Sequence, residues 1–195
     1  MASSIAIAAV STTIMGLLRD NYPRDQFGTS LPFDLYQPKN FDDPMKEGVA
    51  VCLWRVAPNG NRRNFPNRTD RFGRKFRGSI PIDLYYLIVP FAEKAERQQR
   101  MLGWLIRAMH ELGPMVPSHL NHYLSESDIF AEAEGLDAVP EPLLVADYLT
   151  LWDRLKRLPP AMTYVVRLLL IDSDKALDEY PLVEERNLDF GTVNA

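Results

Sequence analysis

The sequence predicts an α+β fold, a single domain in which one mostly antiparallel β-sheet carries helices packed on it. Three observations lead there. Apolar spacing changes between the helical period and the strand period in the order helix, strand, strand, helix, helix, strand. The first two strand patterns are joined by a polar stretch with no helical period, so they pair as antiparallel neighbours. The chain has 195 residues, 46% of them apolar, and no internal repeat, which suits one sizeable core.

The opening MASSIAIAAVSTTIMGLL sets Ala6, Val10, Ile14 and Leu17 at spacings of four, four and three. They form one face of an amphipathic helix starting after Ser3 or Ser4 as N-cap. The run lacks the basic start of a secretory signal. No stretch reaches the roughly 18–20 apolar residues that span a bilayer, so the chain is expected to be cytoplasmic as synthesised, without membrane insertion. From Asp20 to Glu47, Pro23, Pro32, Pro38 and Pro44 interrupt any period. A long irregular connection is expected, of a length usually functional or ordered by a partner.

Val49 to Val56 is dense in β-branched and aromatic residues and ends at the turn Pro58-Asn59-Gly60, which predicts a strand apolar on both faces apart from Arg55. Pro81 to Phe91 predicts a second strand, with Ile82, Leu84, Tyr86 and Ile88 on one face and Asp83 and Tyr85 opening the other. The Gly-, Asn- and Arg-rich segment between them reads as a long hairpin loop. Glu93 to Leu112 carries Met101, Leu105, Ala108 and Leu112 at helical spacing, with Glu93 and Glu96 in the first turn and Arg107 and His110 near the end, before the stop Gly113-Pro114. Signals from Met115 to Pro142 are weak. A helix follows from about Leu144 to Leu158, its core stripe read as Leu144, Tyr148, Leu151, Leu155 and Leu158 with Trp152 flanking, and Pro159-Pro160 ends it. Met162 to Asp172 predicts the third strand, with Tyr164, Val166, Leu168 and Leu170 aligned. The division expected is a domain over residues 1–172 and an acidic C-terminal tail over 173–195.

Residue types that carry chemistry are sparse. His119 and His122 stand three apart with no third ligand at a convincing spacing. Cys52 is the single cysteine, which excludes an internal disulfide, and within an apolar strand it packs as a small hydrophobe. No nucleophile elbow, P-loop or dinucleotide fingerprint is present. No catalytic residue, cofactor or metal ion is expected.

The strongest anomaly is electrostatic. The chain carries a net charge of −4, yet residues 62–77 hold Arg62, Arg63, Arg68, Arg71, Arg74, Lys75 and Arg77 against Asp70, a local +6. Phe65, Phe72 and Phe76 are interleaved with these cations. That mixture suits single-stranded nucleic acid and protein interfaces alike. Beyond the third strand the sign reverses, with Asp174, Asp178, Glu179, Glu184 and Glu185 among the acids of the tail. Loop and tail are therefore candidate interface surfaces, and a contact between subunits, or from the loop to an acidic surface of another protein, is favoured over one within the chain.

Several of these segments also carry a family likeness. VAVCLWRVAPNGNRRN, IPIDLYYLIVPFAEKAERQQRMLGWLIRAMHELGPM, and LWDRL followed by Pro-Pro and MTYVVRLLLIDS resemble the N-terminal domain of the cap, or tail-terminator, proteins of extracellular contractile injection systems, relatives of contractile phage tails. The opening Ser-x-Ala-x-Ala-x-Val helix is similar too. The chain departs from the pattern in its long basic loop and in Arg154 on the last helix. The resemblance implies a tail-terminator-like fold and a structural role: a homo-oligomeric ring, most simply a hexamer, that binds the distal end of the inner tube and the last sheath layer, stops polymerisation and fixes length. The partners it implies are further copies of the chain, the inner tube protein and the sheath protein, within a phage tail-like particle. A nucleic-acid-binding module built on residues 62–77 is the alternative.

Overall fold

Two aliphatic strands paired along nearly their whole length make the centre of the molecule. The computed structural model describes residues 5–62, 65–70, 72–124, 129–130, 134–155 and 158–177. In chain order the elements are α1 (Ala6–Asp20), α2 (Arg24–Phe27), β1 (Phe33–Tyr36), a one-turn 3-10 helix (Pro38–Phe41), β2 (Gly48–Pro58), the short strands β3 (Arg68–Thr69) and β4 (Lys75–Phe76), β5 (Ile80–Phe91), α3 (Ala95–Glu111), α4 (Pro117–Leu120), β6 (Ala138–Pro140), α5 (Val145–Arg154) and β7 (Met162–Ile171).

The main sheet has the order β1-β2-β5-β7-β6. β2 pairs antiparallel with β5 from Gly48↔Phe91 to Pro58↔Ile82, and β5 with β7 from Ile88↔Met162 to Ile80↔Ile171. β6 covers only Tyr164 to Val166 of β7. β1 is the parallel exception, running beside β2 from Phe33↔Val49 to Tyr36↔Cys52. The architecture is the α+β domain with a mostly antiparallel sheet that the sequence predicts.

Helices α1 and α3 cover one face of the sheet. Ala6, Val10, Ile14 and Leu17 are all buried, as their spacing requires, and they meet Met101, Trp104 and Leu105 of α3 over Val49, Val51, Leu84, Tyr86, Ile88 and Val166. The helix begins at Ala6 with Ile5 in the N-cap position; Ser3 and Ser4 lie outside the described residues. The opposite face buries Ala50, Cys52, Leu87, Val89 and Phe91 beneath Tyr36, Phe41 and Leu158. Burial pushes the Cys52 thiol up to about 11. Ellman's reagent at pH 8 is therefore expected to find no reactive thiol in the native protein and one after unfolding in guanidinium; fast native labelling would contradict the packing of this face.

Three expectations change. The stretch from Asp20 to Glu47 is not an irregular connection: it holds α2, β1 and the 3-10 helix and buries Phe27, Leu31, Tyr36 and Phe41. Its aromatic residues pack without a period, Tyr36 edge-on to Phe41 and tilted against Phe91, so periodicity could not find them. The Tyr22 hydroxyl donates to the Thr29 carbonyl at 2.8 Å, and Arg97 donates to both Glu47 Oε1 and the Phe27 carbonyl, tying the segment to α3.

The last helix is shorter than expected and buries no residue. Leu151, Leu155 and Leu158 do lean on the second core, but Leu144 is 74% exposed, and Val145, Leu149 and Trp152 are exposed as well. In β7 the alternation breaks at Leu168, where one residue of β5, Asp83, faces the pair Arg167 and Leu168. Leu168 adopts a left-handed backbone with φ 62°, and this bulge hands the core position to Leu169, leaving Leu168 and Leu170 half-buried.

Candidate functional site

The polar end of the sheet follows from strand order. β2 ends, β5 begins and β7 ends side by side, so the basic loop and the start of the tail leave the sheet at the same edge. The loop is anchored below by Asn59 and Asp83, both buried although Asp83 opens the other face in the alternation. Asn59 Nδ2 donates to Asp83 Oδ1 at 2.9 Å, the Leu168 N–H donates to the same oxygen at 2.9 Å, and Asn59 Oδ1 receives the N–H groups of Asn61 and Arg62. Neither residue stood out in the sequence, where Asp83 is one acid in a strand and Asn59 one turn residue.

Above this anchor the loop folds into the ribbon of β3 and β4, paired Arg68↔Phe76 and Thr69↔Lys75. At its turn, burial acts against the Asp70 carboxylate but is outweighed by hydrogen bonds from the Arg74 and Phe72 N–H groups and the Arg74 side chain, which hold Asp70 below the usual carboxylate range. Arg74 Nε lies 2.8 Å from Asp70 Oδ2, and its guanidinium sits 5.7 Å from the ring centres of both Phe72 and Phe76. Phe72 at the turn is 69% exposed. Arg68 stacks on Phe76 at 5.0 Å and points Nε at Asp172 Oδ2, 3.6 Å away.

The tail meets this ribbon within one chain. Ala176 bridges Phe76, the Leu177 N–H donates to the Lys75 carbonyl at 2.8 Å, and Ser79 Oγ donates to Asp172 Oδ1 at 2.6 Å. This corrects the preference for a purely intersubunit contact at the tail's first residues, because the antiparallel pairing of β5 and β7 delivers both segments to one edge. Of the interface candidates, Arg62, Arg68, Arg74, Lys75 and Arg77 are described on the loop and Asp174 is exposed on the tail. Arg63, Arg71, Asp178, Glu179, Glu184 and Glu185 lie outside the described residues.

Among the described residues no three His, Cys, Asp or Glu side chains are placed to hold a metal ion. His119 ends in the single turn of α4, where its carbonyl accepts the Thr13 hydroxyl, and His122 stacks edge-on with Tyr123 at 4.8 Å. Among the described residues no helix is long and apolar enough to cross a membrane.

Two solved structures share the fold. One is the sheath/tube terminator of an extracellular contractile injection system, PVC, in its extended state, with a TM-score of 0.64 and 14% identity over 96% of this chain and 64% of that one. The other is the tube-terminating cap of the anti-feeding prophage, with a TM-score of 0.60 and 14% identity over 92% of this chain and 60% of that one. The chain thus spans slightly under two thirds of the length of either structure. No curated protein sequence matches it. The model of the Pvc16 N-terminal domain matches residues 9–185, and the chain belongs to that family.

Proposed function

We propose that this chain is a structural cap of a contractile injection particle, acting as a ring of identical subunits, most simply six, on the distal end of the inner tube and the last sheath layer. It stops polymerisation there and so fixes particle length, and its role is structural, not catalytic. The observation that carries this reading is the family match over residues 9–185 together with the fold shared with two terminators. A ring needs two different surfaces of one chain to meet head to tail. The basic loop (Arg62, Arg63, Arg68, Arg71, Arg74, Lys75, Arg77) and the acidic tail (Asp174, Asp178, Glu179, Glu184, Glu185) supply charged faces for such contacts or for tube and sheath. Arg68 and Arg74 are already matched by Asp172 and Asp70, which reduces the charge offered to nucleic acid and weighs against the alternative reading.

Deleting the gene is expected to give tubes and sheaths of excessive, poorly defined length, measured by electron microscopy of purified particles. A gold label on the chain is expected at one tip of the intact particle. Unchanged lengths, or label spread along the shaft, would sink the cap reading. Steeply salt-dependent binding to single-stranded nucleic acid would favour the alternative.

A further inference from the structure

The acid that complements the basic loop need not come from the tail. From Leu112 to Asp153 inclusive the chain contains eight acids and no lysine or arginine. Where this stretch is described, Asp137 and Asp147 are exposed and Glu141 is partly so, spread from the turn before β6 to the first turns of α5. Glu141 is paired with Arg167 at 2.8 Å, which leaves Asp137 and Asp147 as the open acids of the three. The same stretch lines an apolar groove of about 440 Å³ floored by Pro140, Pro142, Leu143, Tyr148 and Met162. Val145, 76% exposed, also lines the groove, and Leu144 before it in the chain is 74% exposed. An apolar hollow in an acidic stretch, with Asp147 between the lining residues Val145 and Tyr148, fits a large apolar side chain carried among cations, and the turn of the basic loop presents Phe72 beside Arg74.

The two surfaces cannot meet in one molecule. The groove lies where β7 begins, at Met162, whereas the loop lies where β7 ends, at Ile171. At about 3.3 Å per residue the strand separates them by roughly 30 Å. Resting on the cap reading for the existence of an assembly, we infer that the groove between β6 and α5 receives the basic loop of a second copy of this chain, with Phe72 of one copy seated against Val145 and Tyr148 of the next. Unlike surfaces at opposite ends of one subunit make a heterologous contact, the kind that closes into a ring. Exposed ion pairs contribute about 0–1 kcal/mol each, so the apolar insertion supplies the hold and the charges set its direction.

The test mixes two variants, Thr69→Cys and Ala146→Cys, at exposed positions that leave Phe72 and Val145 in place, and adds a short bismaleimide; native Cys52 is buried and does not compete. A cross-linked heterodimer is expected in the mixture and in neither variant alone. Raising salt to 1 M, where the Debye length falls to about 3 Å, is expected to reduce its yield. Adding Asp137→Lys and Asp147→Lys to the Ala146→Cys chain is expected to lower the yield about tenfold without moving its melting temperature, and Arg74→Glu in the partner to restore part of it. Oligomers seen by light scattering without the 69–146 cross-link would overturn this docking while leaving the cap reading intact. A chain that stays monomeric and uncross-linked overturns it as well. So does a cross-link that forms only after residues 178–195 are removed, since the groove would then belong to the tail. Normal particle lengths in the deletion strain would defeat the cap reading without touching the cross-link result.

Discussion

Replacing Tyr86 with alanine is expected to destabilise the fold by about 3–5 kcal/mol, the range for emptying an aromatic site in a packed core. Tyr86 is fully buried in the middle of β5, under α1. Its hydroxyl lies 2.9 Å from Ser11 Oγ, which itself stands 3.0 Å from the Ile7 carbonyl. Serine has one proton, and it goes to Ile7, so the tyrosine O–H donates to Ser11. Burial drives the phenol far above its ordinary pKa, and the pair stays neutral across the working pH range. Tyr86→Phe removes one donor and leaves Ser11 still bonded to Ile7, so it is expected to cost only about 0.5–1.5 kcal/mol. Denaturant midpoints with unchanged m-values would measure both. An alanine variant within about 1 kcal/mol of the parent would mean that α1 can collapse onto the sheet, contrary to the packing described.

Gly48→Val is expected to be nearly as damaging. Gly48 opens β2 with φ 146°, a backbone that side chains rarely adopt, which alone costs about 1–3 kcal/mol. An added Cβ would also overlap Met45 Sδ and lie 2.7 Å from the Pro32 carbonyl oxygen. Met45 is long and can turn aside. The Pro32 carbonyl is held where it accepts the Val49 N–H at 2.9 Å, the first link between β1 and β2. Crowding adds a further 1–3 kcal/mol or so. Gly28→Ala makes the control, since φ there is also positive, at 89°, but nothing stands within 4 Å. If the two variants melt together, crowding at the head of the parallel pair has been overestimated.

The long elements were legible because each is long enough to show its period. The faces Ala6-Val10-Ile14 and Met101-Leu105, and the run from Ile82 to Ile88, all land in the core they imply. The antiparallel order of β2, β5 and β7 also contained the meeting of loop and tail, since the start of β5 and the end of β7 must be neighbours. β1 and β6 were hidden by brevity, with four and three residues, and β1 by lying within a proline-rich stretch. The stripe on α5 misled for another reason. An apolar helical face shows that something covers it, not that the same chain does, and only the half around Leu151 and Leu155 is covered here. Among the interface candidates, the cationic loop was visible from composition alone, whereas Asp83 and Asn59, which hold its base, were invisible because a single buried carboxylate has no pattern.

That carboxylate has a consequence for how the chain finds its alignment while folding. β5 and β7 carry leucines, isoleucines and valines on both faces, so a slip by one residue, which moves every side chain to the other face, is penalised less by burial than in a strand with one polar face. Asp83 registers the slip. Only when Leu168 turns left-handed opposite it do the Leu168 N–H and the Asn59 amide converge on one oxygen. Any slipped pairing strands a buried charge with half its partners, a penalty of about 1–3 kcal/mol or more. The bulge in β7 therefore works as a ratchet tooth, rejecting near-miss pairings that the greasy surfaces on either side resist only weakly.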